Sequence, residues 1–383
     1  MKVSDNPPLS GIRIIELAGI GPGPFAGMML ADLGAEVICV ERPGGNPWAV
    51  AGHGVMFRSR RFASLDLKTE QGAAAVRDLC KDADAVIETF RPGVAERLGV
   101  GPQDCMAVNS RLVYGRMTGW GQDGPMAKLP GHDINYIALT GALHAIGRKG
   151  EPPVPPLNLV GDFGGGGMLL AVGMLAGLMS ARATGIGRVV DAAMIDGASA
   201  LMAMFHGLHS EGSFSADRGT HLLDSGAFFY DVYETKDGQW ISIGAIESQF
   251  WTELCDALEL PEFVRNSQFD ADRWDEFRKI LGEKIASYNQ AELDALFSGR
   301  NTCYAPVLDI ASAPSHPHHK ARNTFVEVNG VVQGAPAPRF DGLPPTTPTP
   351  RRSPGADTRS VLSEIGYSTD YIDTLIASGS AAD

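Results

Sequence analysis

The chain has 383 residues, 45 acidic and 32 basic side chains, and a formal net charge of −13 at pH 7. This length is enough for two or three domains with sizeable cores, and the 44% share of hydrophobic residues excludes a disordered protein or a linker. Because the overall charge is negative, a nucleic-acid partner is not expected, and any anionic ligand needs a local cluster of cations.

Strands and helices alternate in the first third of the chain. The predicted strands are 12–17, 36–40, 62–67, 85–88 and 111–117, and the predicted helices are 25–33, 71–81 and 94–98. A glycine turn at 19–23 joins the first strand to the first helix. This alternation predicts a parallel sheet wrapped by helices, and therefore an α/β fold.

The pattern changes after residue 130. It predicts helices at 133–143 and 196–209, an apolar helix opened by the glycine run 164–167, and a strand at 188–192. Beyond the glycine- and serine-rich stretch 211–219, a hairpin of 228–234 and 240–244 is followed by helices at 247–258, 273–286 and 290–298. We interpret this part as a second, smaller α+β domain. The segment 338–354 is proline-rich, and the last predicted helices are 358–365 and 369–377.

The cellular setting is predicted from features that are missing. The five cysteines form no C-x-x-C pair, and the first ten residues do not resemble a secretory signal, so we expect a reduced, cytoplasmic protein. The longest apolar run, 168–179, is twelve residues long, which is short for a bilayer-spanning helix. We therefore expect a buried core helix there and no membrane association.

The glycine turn fits a nucleotide-binding pattern. Residues Gly21–Ala26 match G-x-G-x-x-A between a strand and a helix, and Glu41 follows Gly21 by twenty residues. However, Pro22 and Pro24 remove backbone N–H groups that a pyrophosphate would use, and Arg42 suits a phosphate better than a ribose. Three readings stay open: a tight packing turn, a nicotinamide site, or a site for another nucleotide.

Four basic residues follow the predicted strands. They are Arg42, Lys68, Arg91 and Arg97. Open α/β sheets bind ligands at the carboxyl ends of their strands, so these cations are placed to hold a polyphosphate. The alternative is that they are ordinary solvated surface charges.

An imidazole and a carboxylate stand out as candidates for acid–base chemistry. His132 lies in a loop that enters a helix, where backbone N–H groups can hold an oxyanion. Asp162 precedes the glycine run, which allows a ligand to approach the backbone closely, although Asp162 is also a reasonable helix cap. We interpret the two as a candidate acid–base pair.

Several motifs resemble the type III CoA-transferase family, the CaiB/BaiF group. The resemblance covers nearly the whole chain and is carried by residues 9–17, 33–37, 41–43, 66–68, 91–93 and 118–121 and by the glycine-rich loop. Within that family, residues 131–136 (GHDINY) and 161–166 (GDFGGG) are similar to the α-methylacyl-CoA racemase branch. The transferases of the family share the aspartate but generally lack this histidine.

The resemblance implies a particular architecture. We expect a large Rossmann-like domain from 1–198 and 320–383 and a small α+β domain from 226–312, joined by linkers at 199–225 and 313–319. It also implies a homodimer of interlocked subunits.

The resemblance also implies a substrate and a mechanism. The implied catalytic residues are His132 and Asp162, with Glu247 expected to reach the histidine from the small domain of the partner subunit. CoA and its acyl group are expected near Arg42, Leu65, Asp66, Leu67, Lys68, Thr89, Phe90, Arg91, Arg97, Gly131, Asp133, Ile134, Asn135 and Tyr136. The reaction is racemisation of 2-methylacyl-CoA thioesters through an enolate, with no metal, flavin or nicotinamide.

Three other functions remain as alternatives. One is a CoA transferase in which Asp162 attacks the thioester. The second is a nicotinamide-dependent dehydrogenase, and the third is an acyl-CoA binding protein without catalysis.

Overall fold

The computed structural model describes residues 6–45, 54–344 and 346–383, and these form two compact units. The first unit takes the chain up to Thr140, together with Pro156–Met202 and Asn323–Asp383. The second takes Gly141–Pro155 and Ala203–Arg322. The first unit is thus built from both ends of the chain.

A seven-stranded sheet organises the first unit. Its strands are β1 Arg13–Leu17, β2 Glu36–Glu41, β3 Arg60–Leu65, β4 Ala85–Glu88, β5 Val113–Thr118, β6 Val189–Ala193 and, at the end of the chain, β12 Ala381–Ala382. The strand order is β12-β3-β2-β1-β4-β5-β6; β1 to β6 run parallel, and β12 pairs antiparallel with β3. Chain order reverses between β1 and β4, where open sheets of this type form a ligand crevice. The predicted Rossmann-like α/β fold is confirmed.

Helices cover both faces of this sheet. They are α1 Pro22–Asp32, α2 Glu70–Cys80, α3 Val94–Arg97, α4 Pro102–Val108, α5 Asp133–Leu139, α7 Leu169–Thr184, α8 Met194–Leu201, α15 Thr358–Glu364 and α16 Thr369–Ala377. A wide π-helical segment, Leu159–Met168, leads into α7, and β10 Phe325–Val328 pairs with β11 Val331–Gly334. One buried core lies under α2, α15 and α16, and a second lies under α1 and α7.

The second unit has its own three-stranded antiparallel sheet and aromatic core. Its strands are β7 Tyr230–Glu234, β8 Trp240–Gly244 and β9 Tyr304–Pro306, in the order β7-β8-β9. Its helices are α6 Ala142–Ala145, α9 Ala203–Ser210, α10 Ser248–Leu258, α11 Glu262–Arg265, α12 Trp274–Ile285, α13 Gln290–Phe297 and α14 Pro317–Arg322. The rings of Phe228, Phe229, Trp251 and Phe277 pack edge-on or tilted in the core, which is typical of aromatic clusters.

Three predicted boundaries differ from the structure. The helix predicted at 196–209 is two helices, because the backbone N–H of Met202 bonds back to Ser199 O, which closes a tight turn and ends α8. Gly141–Pro155, expected in the large domain, clusters with the second unit. The expected linker 313–319 contains a short 3₁₀ turn and the start of α14.

The apolar helix is covered on one face only. Within the described residues, the helical segment Leu159–Thr184 is long and apolar enough to cross a membrane, a test that core helices also pass. Leu170 and Met174 are buried against the sheet, whereas Val172 is 61% and Met179 is 73% exposed. The expectation of a buried core helix is therefore wrong for the outer face, because α7 lies outside the sheet and this chain covers only its inner side.

Candidate active site

A cleft opens at the point where the strand order reverses. Its volume is about 420 Å³, and its walls come from the segments that follow β1, β4 and β5. His132 and Asp162 both line it, as do Thr89, Arg91 and Tyr136. The fold thus brings the two predicted acid–base residues together in one cavity.

The glycine turn after β1 is filled by side chains of the chain itself. A Cβ atom at Gly19 would lie 2.0 Å from Oγ1 of Thr89, and one at Gly23 would lie 2.2 Å from Cγ2 of the same threonine. Gly21 has φ 66°, and a Cβ there would lie 3.3 Å from Oδ2 of Asp162. The side chains of Thr89 and Asp162 occupy the space beside these glycines. This favours the interpretation of the motif as a packing turn over that of a nicotinamide site.

The glycine run holds the Asp162 segment directly against α8. A Cβ atom at Gly197 would lie 1.8 Å from the carbonyl oxygen of Gly165, so the two backbones are in contact. π-helical turns are rare and are frequent at functional sites. Here the wide turns place Asp162 at the wall of the cleft.

Two neighbours hold Asp162, one at its carboxyl group and one at its backbone N–H. Nδ2 of Asn158 donates to its Oδ2 at 3.0 Å, and its backbone N–H donates to Oδ1 of Asp133 at 2.7 Å. Burial raises the pKa of Asp162, and the charge of Asp133 raises it further; the Asn158 hydrogen bond and His132 act in the opposite direction. A raised pKa improves a carboxylate as a proton acceptor.

His132 is the residue immediately before α5. Its backbone N–H donates to Oδ1 of Asn135 at 3.0 Å, and its carbonyl accepts from the backbone N–H of Asn135 at 2.8 Å. These reciprocal bonds fix the start of the helix and leave the imidazole exposed at the cleft.

An aromatic pair supports the loop before His132. The Tyr136 hydroxyl donates to the carbonyl of Gly131, and its ring packs edge-on against Trp120 with centroids 4.7 Å apart. Burial, followed by the charge of Asp162, raises the pKa of Tyr136 to about 12, so the hydroxyl stays protonated and keeps donating at neutral pH. A Cβ atom at Gly119 would lie 2.0 Å from the Tyr136 ring, which explains the glycine there.

The other predicted ligand residues fall into several groups. Thr89, Phe90, Arg91, Gly131 and Tyr136 line the cleft. Those exposed elsewhere on the first unit are Arg42, Lys68, Arg97, Ile134 and Asn135; Asp66 and Leu67 are half-buried, and Asp133 is buried.

Two predicted residues need separate comment. Leu65 is 1% exposed, with its side chain in the core beneath α2, and it pairs with Ala381; its side chain is therefore not available to a ligand, and a contact through its backbone stays a prediction. Glu247 is exposed and directly precedes α10 in the second unit, without a side-chain capping bond, and its contact with His132 stays a prediction.

Comparison with known proteins settles the family. The model of CoA-transferase family III matches residues 9–358. The chain belongs to this family. It is 41% identical to human α-methylacyl-CoA racemase and 40% identical to the mouse racemase, each over 367 residues and covering 95% of both proteins. The crystal structure of a CaiB/BaiF family protein from Brucella suis superposes with a TM-score of 0.82 at 24% identity, covering 94% of this chain and 100% of that one, which shows the shared fold.

Glu88 was not predicted as a functional residue, and it directly precedes the cleft-lining residues Thr89, Phe90 and Arg91. Glu88 is the last residue of β4 and is fully buried; Nε of Arg116 lies 3.2 Å from its Oε2, and the backbone N–H of Phe90 donates to its Oε1. Burial raises the pKa of Glu88 to about 7. The signal in the sequence was a charged residue closing an apolar strand, whereas the register that brings Arg116 beside it is visible only in the structure.

We expect Glu88→Gln to change how stability depends on pH. Folded Glu88 takes up its proton near pH 7, against 4.5 for an unshifted glutamate, so the folded state binds more protons between these values and loses stability as pH rises through them. When urea unfolding is measured from pH 5 to pH 8, the free energy of unfolding of the wild type should fall by about 2 to 3 kcal/mol relative to that of the variant.

Glu96 offers a matched control, because it contacts the same arginine from the surface. Nη1 of Arg116 lies 2.8 Å from Oε1 of Glu96, and the pKa of Glu96 is lowered. The wild type should therefore not lose stability relative to Glu96→Gln as the pH rises from 5 to 8. A stability difference between wild type and Glu88→Gln that is constant over this pH range would contradict the assignment.

Proposed function

We propose that this protein interconverts the (R) and (S) epimers of 2-methylacyl-CoA thioesters by removing and returning the α-proton. The observation that carries the proposal is the imidazole of His132 and the strengthened carboxylate of Asp162 in one cleft. The activity named for the human and mouse relatives supports the same reaction.

Racemisation of a 2-methylacyl-CoA thioester in this proposal requires two bases. A proton next to a thioester carbonyl is only weakly acidic, so its removal needs a positioned base and stabilisation of the enolate oxygen. Racemisation further needs a proton donor on the opposite face of the planar enolate. In the proposal, His132 removes the proton from one epimer while Asp162 protonates the other face, and the roles reverse for the other epimer. The backbone N–H of Asp133 stabilises the enolate oxygen.

CoA is a substrate group in this proposal, and no cofactor takes part, because only a proton moves. Arg91 at the cleft and the exposed cations Arg42, Lys68 and Arg97 would attract its phosphates. We further propose a cytoplasmic homodimer in which Glu247 orients the His132 imidazole. The exposed position of Glu247 at the start of α10 leaves it available for that contact.

The test starts from a single epimer of a 2-methylacyl-CoA in D₂O. We expect optical activity to decay to zero while deuterium enters the α-position, as followed by chiral chromatography and mass spectrometry. A panel with linear, branched and aryl-substituted acyl chains would identify the preferred substrate class. A protein that binds the thioester without α-proton exchange would be an acyl-CoA binding protein, and the proposal would fail.

Family III membership and the cleft carboxylate also support a second candidate, a CoA transferase. Asp162 would attack the thioester carbonyl to give a mixed anhydride and release the CoA thiolate. The thiolate would then attack the Asp162 carbonyl, which releases the first carboxylic acid and leaves an aspartyl-CoA thioester. A second carboxylate would attack this thioester to give a new anhydride and thiolate, and attack of the thiolate on the acyl group of the second acid would release the new acyl-CoA and free Asp162. Hydroxylamine would trap such an anhydride at Asp162, and turnover would require the acid. A proton donor on the opposite face is unnecessary for this reaction, so His132 favours the racemase.

A further inference from the structure

The side chain of Asp133 connects the two proposed bases. Asp133 is the first residue of α5, next to His132, and its Oδ1 accepts the backbone N–H of Asp162 at 2.7 Å. A Cβ atom at Gly161 would lie 2.4 Å from the same oxygen, so only glycine lets the two segments come this close. One carboxylate therefore ties the segment of Asp162 to the helix end that carries His132.

The charge of this carboxylate is not neutralised by a cation. Asp133 is 6% exposed, and among the described residues its Oδ2 has no hydrogen-bond partner and neither oxygen has an ion pair. A buried charge with no ion-pair partner acts strongly on its neighbours, since little solvent screens it. Asp162 is the neighbouring ionisable group joined to it by a hydrogen bond.

The elements α1, α7, β5 and β6 also pack against the π-helical segment, and their charged residues are Asp32, Arg182, Arg116 and Asp191. The groups that shift the pKa of Asp162 are instead Asn158, Asp133 and His132. Asp162 and Asn158 face the site from the π-helical segment, and His132 and Tyr136 face it from α5. The helix α8 packs against α5 and carries a single charged residue, Asp196, which is exposed. Arg91 acts on Tyr136 from the far side of the cleft.

We propose that Asp133 is a positioning residue whose Oδ1 holds Asp162 beside the N-terminus of α5 and whose unpaired negative charge makes Asp162 a better proton acceptor. The inference rests on the proposed function, and it attributes the base strength of Asp162 to the charge of Asp133. An ordinary aspartate is a weak base for a carbon acid, and general-base efficiency rises as the base approaches the working pH. The contribution of Asp133 to the raised pKa of Asp162 agrees with this role.

Asp133→Asn separates the charge from the hydrogen bond. The amide oxygen of asparagine still accepts the Asp162 N–H, but the negative charge is gone. In protein labelled with ¹³C at aspartate carboxyls, with the Asp162 signal assigned by its absence in Asp162→Asn, the titration midpoint of Asp162 should fall by about one pH unit. The acid limb of the pH profile of racemisation should also shift to lower pH. We expect kcat to fall about tenfold and KM to change little.

Asn158→Ala is the control of opposite sign. It removes the hydrogen bond that favours ionised Asp162, so the same midpoint should rise. Should Asp133→Asn fail to fold, Asp133→Ser is also neutral and retains an acceptor at the helix start, and the same fall is expected.

The two proposals fail in different ways. The titration needs no turnover, so an inactive wild-type protein would end the racemase proposal while still testing the charge of Asp133. An Asp162 midpoint that is unchanged in the neutral variants would overturn the inference, even if the wild type racemises its substrate.

Discussion

Replacing His132 or Asp162 by alanine is expected to lower racemisation of 2-methylacyl-CoA by about 10³-fold, since each variant lacks the acid or the base on one face of the enolate. Each should nevertheless exchange the α-proton of one epimer with solvent, because the remaining base still reaches its own face. The two variants should therefore exchange opposite epimers. Deuterium incorporation into each pure epimer, measured separately from loss of optical activity, gives this result directly.

Matched controls come from residues of the same type outside the cleft. His144→Ala changes a histidine of the second unit, and Asp196→Asn changes an exposed aspartate on α8; neither should reduce racemisation more than twofold. Racemisation that persists in His132→Ala or Asp162→Ala would eliminate the two-base scheme. Trapping of Asp162 as a hydroxamate would instead support the transferase.

Arg60→Ala should destabilise the protein by about 3 to 5 kcal/mol, because it leaves the buried Glu16 carboxylate without its partner. The Arg60 Nε and the Glu16 Oε2 are 2.7 Å apart, both side chains are 0% exposed, and Nη2 of Arg60 also donates to the carbonyl of Pro24 at 2.6 Å. Burial raises the pKa of Glu16 even with Arg60 present, although the arginine itself acts to lower it. Urea unfolding at pH 7 would measure the loss.

The adjacent arginine is the comparison for this effect. Arg61 pairs with Glu36 and Glu364 near the surface, and its side chain is 24% exposed. Arg61→Ala should cost under about 1 kcal/mol. The double variant Glu16→Leu/Arg60→Met, which removes both charges, should be more stable than Arg60→Ala alone. Equal losses for the two arginines would refute the assignment.

The sequence predicted the first unit well, because strand and helix periods are local signals. The strand–turn–helix at Gly21 and the family motifs around His132 and Asp162 follow from a few neighbouring residues, and the structure places both side chains in one cleft. Non-local features escaped prediction. Leu65 looked like an accessible strand end, but its partner is Ala381, more than three hundred residues away in the chain.

Buried charges were invisible for the same reason. Glu88 and Arg116 belong to different strands, and only the parallel register of β4 and β5 brings them together. The orphan oxygen of Asp133 likewise depends on the packing of α5 against the π-helical segment. Sequence patterns indicate which residues carry chemistry, whereas their proton affinities depend on tertiary neighbours.

The contact between Gly165 and Gly197 sets the position of Asp162 relative to α8. Because backbone meets backbone there, no side-chain rotamer can change the spacing between the Asp162 segment and α8. When the proton returns to the face that it left, the starting epimer is regenerated and no racemisation results. A displacement of the proton donor by about one ångström is already enough to slow such a step. The Gly165–Gly197 contact therefore fixes the position of the Asp162 backbone relative to α8, and substitutions of side chains elsewhere in the cleft should leave that position unchanged.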